Sequence, residues 1–170
     1  PDTASLLAPL YPSLPFTSAR PPRNLTIGSQ PIPEYRATPV PATGGTADPR
    51  VILTATQTVR DLIATATVNT PEESRPLTPA DVAVIAPHVE QAALAAAGLA
   101  DLPDVFVGTI NQAQGLQREA VVAIHPLLGH HVDESFALDL GRLCVALSRH
   151  RAHVTVIIDE RSGDLLSDAI

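Results

Sequence analysis

Three arginines near the C-terminal end of the chain, Arg142, Arg149 and Arg151, are the residues best suited to chemistry. They lie in LGRLCVALSRHRAHVTVIID, where a helical pattern runs into a strongly apolar strand. A guanidinium is a rigid, permanently charged fork, so Arg149 and Arg151 can stabilise charge developing on a transferred phosphoryl group. Arg142 stands seven positions before Arg149, which on a continuous helix returns to a similar face after about two turns. The structural alternative is that arginines at a helix C-terminus satisfy its last carbonyls and face water.

A second group lies upstream in VFVGTINQAQGLQREAVVAI, which reads as a strand, a compact polar turn and another strand. Thr109 and Asn111, just past the first strand, carry groups able to contact phosphate or sugar. Gln114 can hydrogen-bond a nucleotide, water or a neighbouring loop, and Gly115 permits a tight approach. Their structural role is a well-capped turn. His88, Glu90 and Gln91 follow DVAVIAP as helix-start polarity, and Gln91 could face a nucleotide or nucleic-acid cleft.

Other chemistries find little support. Cys144 is the single cysteine, which excludes an intrachain disulfide and a cysteine metal cluster, and reads as a small core residue. The pair His130-His131 reads as solvated loop, Glu72-Glu73 as loop, and Asp133-Glu134 as the polar onset of a helix. Ser148 has no partner pattern that would orient a base. Gly44-Gly45 reads as a turn, because no Gly-Lys-Ser/Thr end follows; a phosphate loop and an Asp-Glu magnesium motif are both missing. A complete ATPase site is therefore not expected in this chain alone.

These residues need a scaffold, and the composition supplies one. At 170 residues with 45% apolar content, the chain suits one domain with a proper core. All eleven basic residues are arginine against eighteen acids, a net charge of -7, which argues against wholesale attraction to a phosphate backbone but not against a local cluster. With aromatics at 3%, a broad stacking platform for single strands is not evident. No apolar run reaches the roughly 20 residues of a membrane span and no signal segment opens the chain, so a cytoplasmic protein is expected. The missing methionine suggests a fragment or processed piece.

Residues 1–50 read as a proline-rich lead-in and surface excursion, with DTASLLAPLY as a helix remnant and FTSARP as a short strand. VILTATQTVRDLIATATV predicts a helix favoured from Gln57 onward, with a strand possible at its start. DVAVIAP, VFVGT and EAVVAIHP predict inner strands, EQAALAAAGLA a helix ending near Gly98, and VTVIID a further strand. DESFALDLGRLCVALSRHR predicts a helix with a break near Gly141. Strands alternating with helices predict an α/β domain over 51–170: a mostly parallel sheet with helices on both faces and ligands at the strand ends.

DVAVIAPHVEQ, VGTINQAQGLQREAVV and GRLCVALSRHR resemble, in order and spacing, the fourth, fifth and sixth motifs of the second RecA-like motor domain of superfamily 1 helicases, in the 5′-to-3′ branch. The resemblance covers about half the chain and implies a RecA-like P-loop NTPase fold lacking its own phosphate loop. Thr109 is similar to a threonine that contacts nucleic-acid phosphate, and Gln114-Gly115 to a pair coupling the nucleotide cleft to the strand-binding surface. Arg149 is similar to the arginine reaching the ATP γ-phosphate, and Arg151 to the basic residue supporting nucleotide or interdomain contacts.

On this resemblance the nucleotide side comprises Gln114, Gly115, Gln117, Arg142, Arg149 and Arg151, with Arg149 catalytic. The strand side comprises Gln91, Thr109 and Asn111. ATP would bind against a first RecA-like domain absent from this chain, whose acids hold most of the Mg2+ coordination; single-stranded DNA or RNA is the implied partner. Asn111 and Gln117 replace the family's usual Asp and Glu, and Cys144 and His150 its Asn and Ala. Gln117 accepts a hydrogen bond without the charge of glutamate. The alternatives are a noncatalytic nucleic-acid-associated domain of the same fold and, more remotely, a small-molecule phosphotransferase.

Overall fold

The computed structural model describes residues 21–42, 45, 47–126 and 140–160, with side chains in the last segment from Cys144 onward. DTASLLAPLY, FTSARP up to Arg20, His130-His131, Asp133-Glu134 and the side chain of Arg142 lie outside the described residues.

The scaffold is a five-stranded parallel sheet. Its strands are β3 (Tyr35–Val40), β6 (Val82–Ala86), β7 (Phe106–Thr109), β8 (Arg118–Ile124) and β9 (His150–Asp159), in the order β3-β9-β8-β6-β7. The inner strands are apolar on both sides because both faces are covered. Val82, Val84, Val122, Ile124 and Ile157 point into one core with Val51, Ala55 and Val59 of helix α1 (Pro49–Thr65) and Ala92 and Ala95 of helix α2 (Val89–Gly98). The alternate residues Ala83, Ile85, Val121, Ala123, Val154 and Val156 face a second core with Ile110, Ala113 and Ala146, the last from helix α3 (Leu140–Leu147). The α/β architecture, with helices flanking a parallel RecA-like sheet, is thus the one expected.

Local chemistry sets the helix ends. Asp48 accepts the Arg50 backbone N–H at 2.9 Å, and Pro49 opens α1 where its missing donor costs nothing. The helix tolerates its threonines because they bond back to its own carbonyls, Thr56 to Ile52 at 3.0 Å and Thr58 to Thr54 at 2.7 Å. It spans the whole of 49–65, so the strand considered at its start does not form; Val68 instead belongs to strand β4 (Ala66–Asn69). β4 joins a small antiparallel sheet with β1 (Asn24–Ile27), β2 (Gln30–Pro31) and β5 (Ser74–Pro76), in the order β2-β1-β4-β5. Leu25, Val68 and Leu77 of this region are buried against the main core.

Three expectations change. The proline-rich lead-in does not simply run over the surface: Tyr35–Val40 pairs in parallel with β9, and the edge position lets Pro39 stand in the strand without interrupting an inner ladder. VFVGT is the opposite edge of the described sheet rather than an inner strand. Finally, α3 ends at Leu147 and the strand begins at His150, so Arg149 sits in the turn between them and Arg151 in the strand. The helical face argued for Arg142 and Arg149 therefore does not extend to Arg149.

β9 is fastened to its edge neighbour by His153, which is 1% exposed. Its Nδ1 lies 2.7 Å from the Pro33 carbonyl, which can only accept, so Nδ1 carries the proton and Nε2 receives the Thr155 hydroxyl at 2.8 Å. Burial pushes this imidazole's pKa down and keeps it neutral.

Candidate nucleotide and strand site

The connection from β7 to β8 crosses over β6, and it carries most of the polar residues singled out in the sequence. It coils through a single helical turn, with the Ala113 N–H donating to the Thr109 carbonyl at 3.0 Å, and buries Ile110 and Ala113 against the sheet. Asn111, Gln112, Gln114, Gly115 and Gln117 are left exposed. Gly115 has φ +77 with nothing within 4 Å of where a Cβ would stand. Its glycine is required by backbone conformation, not by crowding from the protein.

This crossing splits the candidate residues between the two ends of the sheet. At the carboxyl end, Thr109 closes β7. Its backbone N–H and hydroxyl donate to Gln112 Oε1 at 2.8 and 3.1 Å. Gln112, which the sequence reading passed over, therefore organises the turn on Thr109. Gly108 has to be small here, since a Cβ would meet the Phe106 ring at 2.8 Å and Gln112 Oε1 at 3.1 Å. Gln91, also near this end, is 0% exposed, and its Oε1 accepts the His88 N–H at 3.3 Å. Its place is inside the start of α2, so it has no surface to offer a bound strand.

At the amino end, the arginine segment and the polar turn meet. The Arg118 N–H donates to the Arg149 carbonyl at 3.1 Å, and Arg118 stands opposite His150 in the ladder. Gln117, Arg149 and Arg151 are thereby gathered at the start of two adjacent inner strands. The Arg149 guanidinium folds back onto its helix: Nε donates to the Val145 carbonyl at 3.2 Å and Nη2 to Ser148 Oγ at 2.8 Å. Arginine at a helix end meets unsatisfied carbonyls and the negative end of the helix dipole, which explains the fold-back. Arg151, 40% exposed along its side chain, approaches Gln117 Oε1 through Nε and Glu119 Oε1 through Nη1, both at 3.4 Å.

Glu119 is the functional-site candidate that sequence reasoning missed. Its side chain is 7% exposed and forms a 2.8 Å ion pair with Arg23. The available signal was a lone acid inside the apolar run of β8. Close by, Arg75 of β5 grips Asp81 through two bonds at 2.6 and 2.8 Å, at the step into β6. Burial opposes ionisation of Asp81, but Arg75 and the hydroxyl and N–H of Thr78 outweigh it and lower the carboxyl to about 2.

Among the described residues no three His, Cys, Asp or Glu side chains gather to hold a metal ion, and no helix is long and apolar enough to cross a membrane. What the amino end offers a ligand is arginine and glutamine donors, which suit phosphate oxygens.

No curated protein matches the chain. The family described as an AAA domain matches residues 48–161, more than half the chain and all of the parallel sheet except its edge strand β3. With that match and a RecA-like sheet, the chain belongs to the AAA domain family, in a form found in superfamily 1 helicases.

Proposed function

We propose that this chain is the second motor domain of an ATP-dependent helicase or translocase acting on DNA or RNA, with Arg149 as its arginine finger. The observation that carries this reading is the convergence of Arg149, Arg151 and Gln117 at the amino ends of β8 and β9. The nucleotide would lie between this edge and a first RecA-like domain bearing the phosphate loop and the acids that hold Mg2+. ATP with its metal supplies the phosphoryl group; this chain's part is to place positive charge where the transferred phosphoryl develops negative charge.

Arg149 has to exchange two bonds to neutral oxygens, on Val145 and Ser148, for bonds to phosphate. The guanidinium is charged in both cases, but a phosphate adds a charged acceptor and a bidentate geometry that the Val145 carbonyl and Ser148 hydroxyl lack, so the exchange favours phosphate once one is in reach. Arg151 and Gln117 would orient the nucleotide or the partner domain. At the other end of the sheet, Thr109, Asn111 and the exposed turn would meet the strand, while Gln114 and Gly115 in the crossing connect the two ends. Closure around ATP at one end is then coupled to the strand-facing turn through a single short segment.

The fold-back of Arg149 also supports a second reading, a noncatalytic nucleic-acid-associated domain in which this arginine only closes its helix. Strand-stimulated ATPase of the uninterrupted protein separates the two. Under the motor reading, Arg149→Ala removes an interaction made chiefly in the transition state and lowers kcat by roughly a thousandfold. Turnover unchanged in that variant would overturn the finger assignment.

A further inference from the structure

Glu119 is a half-satisfied buried acid within reach of the proposed nucleotide edge. Its Oε1 is shared by two guanidinium groups, Arg23 at 2.8 Å and Arg151 at 3.4 Å, while Oε2 is buried with no partner among the described residues. A buried carboxylate left half satisfied is a poor device for stability, since desolvation offsets most of the pairing gain. An apolar residue would suit this strand better, and Ala120 to Ile124 beside it are all apolar and buried. The acid is better explained by what it orients.

We propose that Glu119 is a positioning residue for Arg151: its carboxylate draws the Arg151 guanidinium across the start of β8 and sets it beside Gln117, facing the nucleotide. Resting on the motor reading above, the proposal adds that Arg23, just ahead of β1 and 96 residues upstream, shares the same oxygen. Three considerations support the arrangement. The Arg151 side chain is 40% exposed, so without the acid its long stem would sample many rotamers. Gln117 is neutral, so at the same 3.4 Å separation its contact holds the Arg151 guanidinium less firmly than the charged Glu119 carboxylate does. Glu119 also lies where the β8–β9 register shifts, between the Arg118–His150 and Ala120–His153 pairs, an irregularity of the kind that re-aims a side chain on an inner strand.

The test is steady-state ATPase of the uninterrupted protein, with saturating single strand, for Glu119→Gln, Arg23→Ala, Arg151→Ala and the Glu119→Gln/Arg151→Ala double variant. Loss of an oriented charge-assisted contact that binds ground and transition states alike raises KM for ATP about tenfold and leaves kcat within about twofold. Arg23→Ala breaks the shorter ion pair but leaves Glu119 to Arg151, so its KM stays within about twofold of the parent. The double variant is no worse than Arg151→Ala alone, because both changes remove one interaction.

An unchanged KM in Glu119→Gln overturns the proposal. So does an equal rise in Arg23→Ala, which is what a merely structural ion pair gives, or a multiplicative double variant. Glu119→Asp, which keeps the charge at shorter reach, is read against Arg23→Ala by the same criterion if the Gln variant does not fold. The parent and Arg149→Ala run alongside: no strand-stimulated hydrolysis from the folded parent defeats the motor reading itself, wild-type turnover in Arg149→Ala defeats the finger assignment, and collapsed turnover there with an unchanged Glu119→Gln KM defeats only the positioning role.

Discussion

Asp81 is an informative residue to perturb because it joins the small sheet to the first inner strand of the large one. Its carboxylate accepts both arms of Arg75 on β5 and the hydroxyl and N–H of Thr78, and β6 starts at the next residue. Asp81→Asn keeps the volume and can still accept from Thr78 but loses the charge that holds Arg75. Lowering this carboxyl from 3.8 to about 2 corresponds to about 2 kcal/mol of stability at neutral pH. Arg75 is 36% exposed, so solvent screening trims the expected loss to about 1–2 kcal/mol. Because the folded value is depressed, the contribution is complete above the unfolded value near 4 and is lost as pH falls through about 2. Urea unfolding of parent and variant at neutral pH and at steps down to about pH 2 should show a gap that closes across that window. Equal midpoints at neutral pH, or a gap that persists at the acid end, would refute the reasoning.

Two further substitutions probe the site. Gln91→Ala strips the partner from the His88 N–H inside a buried helix start, so it should cost about 1–3 kcal/mol in urea unfolding. The uninterrupted protein carrying Gln91→Ala, assayed while folded, should keep its single-strand affinity by fluorescence anisotropy; a tenfold loss there would return Gln91 to the strand surface. Gly115→Ala places a side chain at φ +77 in open space, so it should cost about 1–2 kcal/mol through backbone strain alone. A thermal melt unaffected by that change would mean the turn relaxes freely.

Much of the scaffold was legible because its inner strands are buried on both faces. DVAVIAP and EAVVAI are continuous apolar runs of strand length, and Ala-rich EQAALAAAGLA could only be helix. What the sequence hid was lateral order, which depends on residues far apart along the chain. VFVGT has the composition of an inner strand but lies on the edge, and Tyr35–Val40 sits in a proline-rich, loop-like stretch but pairs with β9, since an edge tolerates Pro39. The switch from helix to strand at Ala66 carries no glycine or proline, so a Thr- and Val-rich segment gave no local stop.

The site was legible by residue type and not by contact. Arg149 and Arg151 were named from their chemistry and Gln117 from the motif resemblance, and β8 and β9 bring their positions together. That Arg149 closes its own helix, that Gln112 holds Thr109, and that Gln91 is sealed under α2 follow from packing that no spacing rule reports. The helical face assumed for Arg142 and Arg149 failed because α3 stops at Leu147 and the chain turns before the strand. Glu119 had the clearest unread signal, a charge in an apolar strand, which needs a partner and so marks a place where arginines gather.

The most direct test of the central proposal is ATP hydrolysis by the uninterrupted protein with and without single-stranded DNA and RNA, in the parent and in Arg149→Ala. The motor account predicts turnover stimulated by one or both strands and a fall of roughly a thousandfold in kcat in the variant, with its thermal melt within a few degrees of the parent. Undiminished turnover in a folded Arg149→Ala protein, or no hydrolysis from a folded parent with either strand, would contradict it.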